Sequence, residues 1–388
     1  MKYNFDEIVD RTVTNDMKWT RMEEIAKGEI IPMWVADMDL AVATPIIESV
    51  SKRIQTPVFG YSDLFMSDKQ LVADFFNRRH NYGVSAEEVS FSTGVVFSIS
   101  VILQAFSKEN DKVMIMLPSY GPFMAMTKRN NRIPVYTHLK IKDGQYEIDF
   151  DEMEEVVDGA KILILCNPHN PTGKVFSKEE LVKISEFAKR HNMIIISDEI
   201  HCDFDFEKGF IPMCNVDEYA KNNTIALTSL TKTFNLAGIK LSFVFTKNKE
   251  LKEIVDRMLE INGLSEINTF AIEILRSVYR TCDDWLDQVL EYIKGNIKYV
   301  MKRLETIPEI KCIEPKSTYL LWLDMSDTNI QPEILHETML NEAKIYFTKG
   351  GSFGEMYNNH EKMNVACPRS QVVETMDRIE NIVKKYRK

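Results

Sequence analysis

ILILCNPHNPTGKVFSKEELVKISEFAKRHNMIIISDEIH, Ile162 to His201, is the stretch whose reading decides the fold. It opens on one apolar run, ILILC, and closes on another, MIIIS, followed by DEIH. Between them lies SKEELVKISEFAKRH. Ser177 and Glu180 there have the spacing of a capping box, and Leu181, Ile184, Phe187 and Ala188 fall on one helical face. Strands that are apolar throughout are covered on both faces. Strand, helix and strand in succession therefore predict an α/β fold with a mostly parallel sheet between helices.

The same pattern extends outward. Val113–Leu117, Ile133–His138, Thr224–Thr228 and Leu241–Thr246 are further candidate strands. A long amphipathic pattern runs from Asp284 to about Leu304, with Leu286, Val289, Leu290, Ile293, Ile297 and Leu304 on a stripe that reads as core packing. After it come a short β-like run, TYLLWLDM (Thr318–Met325), a glycine-rich turn, KGGSFG (Lys349–Gly354), and a final amphipathic helix from about Gln371. The expected organisation is an N-terminal segment, 1–45, packing with the small domain; a large domain, 46–284; and a smaller α+β domain, 285–388.

Bulk properties narrow the function. The 388 residues suffice for a large core and two domains. With 48 basic against 58 acidic residues, a net charge of −10 and no basic block, nucleic acid is not the expected partner. The six cysteines, at 166, 202, 214, 282, 312 and 367, are widely spaced without a CxxC pair, so neither a metal site nor a disulfide framework is readable. A reducing, cytoplasmic compartment is expected. The N-terminus MKYNFDEIVDRT lacks the apolar region of a signal peptide, and no apolar run is long enough to span a membrane.

The chemistry sits at the ends of the strands. Asp198 follows MIIIS at the carboxyl edge, where open α/β sheets bind ligands. A carboxylate there wants a cationic partner, and a pyridinium nitrogen is one. Lys232 lies in SLTKTFNLAG (Ser229–Gly238), shortly after the strand-like TIALT, in a turn whose Ser229 and Thr231 offer hydroxyls. A lysine that forms a Schiff base needs a neutral amine, favoured by burial and nearby positive charge. Asp198 and Lys232 together are what an enzyme needs to hold pyridoxal 5'-phosphate (PLP).

Four other runs fit the same cofactor. NPHNPTG (Asn167–Gly173) follows ILILC, and its two Asn-Pro steps make a tight loop from which Asn170 can donate to the phenolic oxygen. STGVVFSIS (Ser92–Ser100) reads as a turn entering a helix, with the amides of Gly94, Val95 and Val96 suited to a phosphate. Tyr120, in PSYGPF, can stack on a flat ring. Arg369, in NVACPRS (Asn364–Ser370), has the planar fork that grips a carboxylate.

Together these runs resemble the fold-type I PLP enzymes of the class I/II aminotransferase superfamily over nearly the whole chain. PMWVADMD (Pro32–Asp39), FGYSD (Phe59–Asp63), CNPHNPTG, SDEIH, TKTFNLAG and NVACPRS resemble more narrowly the MalY/PatB branch of cystathionine β-lyases. His169 and His201 are typical of that branch, whereas ordinary aminotransferases usually carry tyrosine at the position of His201.

The resemblance implies a role for each residue. Lys232 would be the Schiff-base lysine and general base, and Asp198 would pair with the pyridine nitrogen. Asn170 and His201 would flank the phenolic oxygen, and Tyr120 would stack on the ring. Gly94, Val95, Val96 and Ser229 would hold the phosphate. Tyr61 would reach the cofactor phosphate of a neighbouring subunit, which implies a homodimer. Arg369 would bind the substrate α-carboxylate.

Two positions depart from the pattern. Lys240 stands where many aminotransferases have a phosphate-gripping arginine, and Phe97 where the branch leads one to expect proline. The implied activity is β-elimination from L-cystathionine or cysteine S-conjugates, with amino transfer between an amino acid and a 2-oxo acid as the alternative.

Overall fold

The computed structural model describes residues 3–25 and 30–387. Its centre is an eight-stranded sheet. In chain order the strands are β1 (Val89–Ser92), β2 (Lys112–Leu117), β3 (Ile133–Lys142), β4 (Gln145–Ile148), β5 (Ile162–Cys166), β6 (Ile194–Asp198), β7 (Thr224–Thr228) and β8 (Ser242–Phe245). Their spatial order is β1-β8-β7-β6-β5-β2-β3-β4. The inner run β7-β6-β5-β2-β3 is parallel, while β8, β1 and β4 pair antiparallel.

Alternation explains why the central strands read as unbroken apolar runs. Met114, Met116, Leu163, Leu165 and Ile195 enter one hydrophobic cluster, while Val113, Ile115, Ile162, Ile164 and Ile196 enter another. Both faces are thus buried under helices, as a parallel sheet requires. Helix α1 (Val95–Phe106) covers one face, and the capping-box helix α2 (Lys178–Arg190) the other. Ser177 caps α2 as expected: its side chain accepts from the Glu180 amide, and Glu180 accepts in return from the Ser177 amide at 2.8 Å.

Two strands differ from the sequence reading. β1 and β4 carry no long apolar run, because each is a short edge or near-edge strand. The β3 candidate extends to Lys142, since its outer half is exposed and pairs only with β4.

Beyond the sheet, helix α3 (Asp283–Leu304) leads into a three-stranded antiparallel sheet ordered β9-β11-β10. Its strands are β9 (Leu320–Asp324), β10 (Thr348–Lys349) and β11 (His360–Asn364). The terminal helix α4 (Arg369–Tyr386) packs along α3. The N-terminal segment is tied to this region: Phe5 packs against Trp285 and Tyr292, and Ile31–Pro32 pairs in parallel with Ile345–Tyr346. The largest core cluster is continuous across both parts of the molecule.

Candidate active site

The chain runs from β2 out to β3 and returns to β5 on the other side of β2. The order of the parallel strands therefore reverses between β2 and β5, and ligands bind at the carboxyl ends beside such a point. A cavity of ≈ 190 Å³ opens there. It is reached by Tyr120 after β2, Asn170 after β5, Asp198 and His201 after β6, and Lys232 after β7. Strand register brings them together: Cys166 stands beside Asp198, and Asp198 beside Leu227, so the loops that follow converge.

Lys232 sits on the four-residue helix Leu230–Thr233, whose N-cap Ser229 accepts from the Thr231 amide. Its amine donates to the Ala36 carbonyl at 2.5 Å, and the Tyr319 hydroxyl donates to the same oxygen at 3.0 Å. Burial lowers the pKa of this amine; Lys240 adds to the effect, while Asp37 and Asp198 oppose it. Asp198 is buried, and its carboxylate accepts the Ile200 amide at 3.2 Å. Desolvation raises its pKa to about 7, with Glu199 adding to the rise and Lys232 opposing it. Burial likewise lifts the Tyr120 hydroxyl to about 12, helped by Asp198.

Two of the buried side-chain atoms without a partner among the described residues, His201 Nδ1 and Asn170 Oδ1, belong to residues that line this cavity. An unsatisfied buried polar atom is costly, so both point to a ligand that supplies the missing bond. Burial, reinforced by Lys232 and Lys362, drives the His201 pKa down to about 3 and keeps the ring neutral. At the other end Gly94 caps α1 at φ +152°, a conformation that favours glycine, and Thr93, Val95 and Val96 line the cavity beside Lys240. This is an anion cradle with a cation beside it. An acid matched to a ring nitrogen, an amine, two orphaned polar atoms and an anion cradle fit PLP.

The remaining predicted residues lie elsewhere. The Ser229 hydroxyl donates to the Leu241 carbonyl at 2.5 Å and shares a bond with Thr231, so it stands behind the wall rather than on it. Tyr61 is wholly exposed, with 106% relative accessibility, and does not reach the cavity of its own chain. Arg369 opens α4 and turns away: its Nε donates to Asn296 Oδ1 at 2.6 Å and its guanidinium lies 5.1 Å over the Tyr299 ring, both on α3. The expectation that Arg369 meets the substrate is therefore corrected on position, since helix α3 claims the side chain.

Sequence reading used PMWVADMD only as a likeness, yet it supplies the cavity wall at Ala36. Asn364 fixes that segment by donating to the carbonyls of Val35 and Asp37 at 2.5 and 2.6 Å. Gly173 shows why NPHNPTG ends in glycine. Its φ is +67°, a Cβ there would meet Pro315 at 2.3 Å, and its carbonyl accepts both Lys316 and Ser317 amides at 3.0 Å. The loop is thus clamped to the small domain.

Known proteins share this architecture. PatB, a cystathionine β-lyase of Bacillus subtilis, is 31% identical over 97% of this chain and 98% of its own length. The structure of cystalysin from Treponema denticola, which contains PLP, superposes with a TM-score of 0.95 at 29% identity, covering all of both chains. That of a PLP-bound C–S lyase from Staphylococcus hominis gives 0.91 at 29% identity, covering 99% of this chain and 98% of that one. The profile of aminotransferase class I and II matches residues 38–379. The chain belongs to the class I and II aminotransferase family.

Proposed function

We propose that this protein is a PLP-dependent carbon–sulfur β-lyase of the cystathionine β-lyase type, acting on L-cystathionine or cysteine S-conjugates. The observation that carries this reading is the convergence of the Lys232 amine and the Asp198 carboxylate on one buried cavity at the sheet's carboxyl edge. The relatives named as cystathionine β-lyases favour elimination over amino transfer.

Lys232 would carry the cofactor through its amine, and Asp198 would hold a proton on the ring nitrogen. Tyr120 would cover the ring face, while the Asn170 side-chain NH2 would donate to the phenolic oxygen and the neutral His201 ring would stand beside it. The amides of Gly94, Val95 and Val96 and the ammonium of Lys240 would hold the phosphate, Lys240 as a point charge without a fork. When bound, PLP supplies a sink for the electron pair left at the substrate α-carbon. Lys232 removes the α-proton, which the lowered pKa of its amine suits. The Cα electron pair would form the Cα=Cβ bond as the Cβ–S bond breaks, the Cβ–S pair leaving on sulfur, which takes up a proton as the thiol; water then hydrolyses the released 2-aminoacrylate to pyruvate and ammonia.

The test is direct. Given L-cystathionine and no 2-oxo acid, the cofactor-loaded protein should release pyruvate and free thiol in equal amounts. Turnover that requires a 2-oxo acid and yields no thiol would replace this reading with amino transfer.

The reading includes a homodimer. Val58, Phe59, Tyr61, Phe65 and Met66 form an exposed apolar stretch, of the kind that marks an interface. Tyr61 would cross it to the neighbouring phosphate. Tyr61→Ala is expected to weaken cofactor retention about 10- to 100-fold, the loss of one charge-assisted hydrogen bond, without lowering thermal stability. Equilibrium dialysis against graded PLP measures it. No helix among the described residues is long and apolar enough to cross a membrane, and all six cysteines are free, which suits a reducing cytoplasm.

A further inference from the structure

Thr233 follows Lys232 and ends the four-residue helix, Leu230–Thr233, that carries it. A single helical turn does not hold itself, since few hydrogen bonds repay the ordering of its residues. Ser229 fastens the start, by accepting the Thr231 amide and donating to the Leu241 carbonyl. A buried carboxylate fastens the end. The Thr233 hydroxyl donates to Asp203 Oδ2 at 2.7 Å, closer than its other acceptor, the Ser229 carbonyl at 3.5 Å.

Asp203 stands on the loop after β6, shortly beyond Asp198 and His201. Its side chain is fully buried and does not line the cofactor cavity, so it reaches the lysine turn from behind. Its other oxygen, Oδ1, lies 2.7 Å from His80 Nε2 and 3.5 Å from Arg79 Nε, at the end of the helix Met66–His80. Arg79 in turn meets Asp287 on α3 at 3.1 Å. Burial alone would push the Asp203 carboxyl up, yet His80 and Arg79 hold it below the ordinary carboxylate range. One ionised carboxylate thus spans the loops after β6 and β7, neighbouring strands whose ends bear Asp198 and Lys232.

We infer that Asp203 is a positioning residue for Lys232: its carboxylate, braced by His80 and Arg79, holds the lysine turn in place through the Thr233 hydroxyl. The inference rests on the reading of Lys232 as the residue that carries the cofactor. The same amine must join the cofactor and, once the substrate amine displaces it, reach the substrate α-proton. Two positions for one flexible side chain require a fixed backbone, because a displacement of about 1 Å at a reacting group can cost about 100-fold in rate.

Equilibrium dialysis of the cofactor-free protein against PLP and against pyridoxamine 5'-phosphate reads this without turnover. The two share ring and phosphate, but only PLP has the aldehyde that condenses with the Lys232 amine, losing water. The ratio of their affinities therefore reports how well that amine is placed. Thr233→Val keeps the shape and removes the donor. It should lower the ratio about 10-fold, the lower end for a hydrogen bond to a charged group, and leave pyridoxamine phosphate within about threefold. Thr233→Ser keeps the hydroxyl and should hold the wild-type ratio within about threefold. Asp203→Asn should lower the ratio, and adding it to Thr233→Val should lower it no further. A purely structural bond would lower the melting temperature with the ratio unchanged, or weaken both ligands alike, and either result would overturn the assignment. So would a serine variant as poor as the valine one, which would trace the loss to packing, or a further drop in the double variant, which would give Asp203 another route to the lysine. Lys232→Ala should abolish the preference for PLP. If it does not, the reading of Lys232 fails and the role of Asp203 with it; if it does while Thr233→Val keeps the wild-type ratio, only the role of Asp203 fails.

Discussion

Lys232→Ala lowers pyruvate release from L-cystathionine by at least about 10⁴-fold, the upper range for loss of a positioned general base, here compounded by loss of the covalent tether. The protein still folds. The helix Leu230–Thr233 is closed by the Ser229 cap and by backbone bonds, and the lysine side chain adds one hydrogen bond, to Ala36. A circular dichroism spectrum that matches wild type, together with the missing rate, separates chemistry from folding. The visible absorption of the bound cofactor should shift, because no amine remains to carry it. Borohydride reduction of the wild-type holoprotein should place the label on the peptide containing Lys232. Label on Lys240, the neighbouring cavity cation, would reassign the chemistry, and a Lys232→Ala variant with wild-type turnover would remove its basis.

Asp198→Asn has the next largest effect. Asparagine keeps the size and the contact with the Ile200 amide but cannot hold a proton on a ring nitrogen. A loss of about 10³-fold in kcat is expected, in line with removal of a preorganised electrostatic group. The same variant has a second signature without cofactor. Burial raises Asp198 to about 7 against an ordinary ~3.9, so between those values the folded state keeps a proton that the unfolded state has lost. The stability due to the neutral carboxyl is complete below pH ~4 and is lost as pH rises through about 7. Asparagine mimics the neutral form at every pH. The cofactor-free variant should therefore melt above wild type at pH 8, and the gap should shrink at pH 5. Glu199, also raised to about 7 by burial, persists in both proteins and cancels in the comparison. A gap that stays constant between pH 8 and pH 5 would mean that Asp198 is ionised throughout that range.

Most of the fold was legible because the signals are local. ILILC and MIIIS are apolar at every position because both faces of β5 and β6 are covered, and Ser177 with Glu180 marks the start of α2 within one turn. The edge strands were less legible. β1 and β4 are four residues each, and pairing rather than composition makes them strands.

In the site, Asp198, Asn170, Tyr120, Gly94 and Lys232 were readable from strand ends and turn chemistry and His201 from the family resemblance, and the structure gathers them in one cavity. Ser229 was placed on the wall and lies behind it, because a nearby carbonyl, that of Leu241, claims its hydroxyl. Arg369 shows the limit most clearly. Charge and fork geometry singled out the arginine. Helix α4 starts at Arg369 and gives that side chain to Asn296 and Tyr299.

The sequence by itself determined the elements, their parallel order and the identity of the groups that suit PLP, because capping, apolar periodicity and strand-end chemistry act over a few residues. Only the tertiary structure decided which charges share the cavity. The Ala36 carbonyl, 196 positions from Lys232, reaches the site through the packing of the small domain and the N-terminal segment on the large sheet. That packing depends on register and on which face of a strand or helix is turned inward, and neither is fixed until the elements meet.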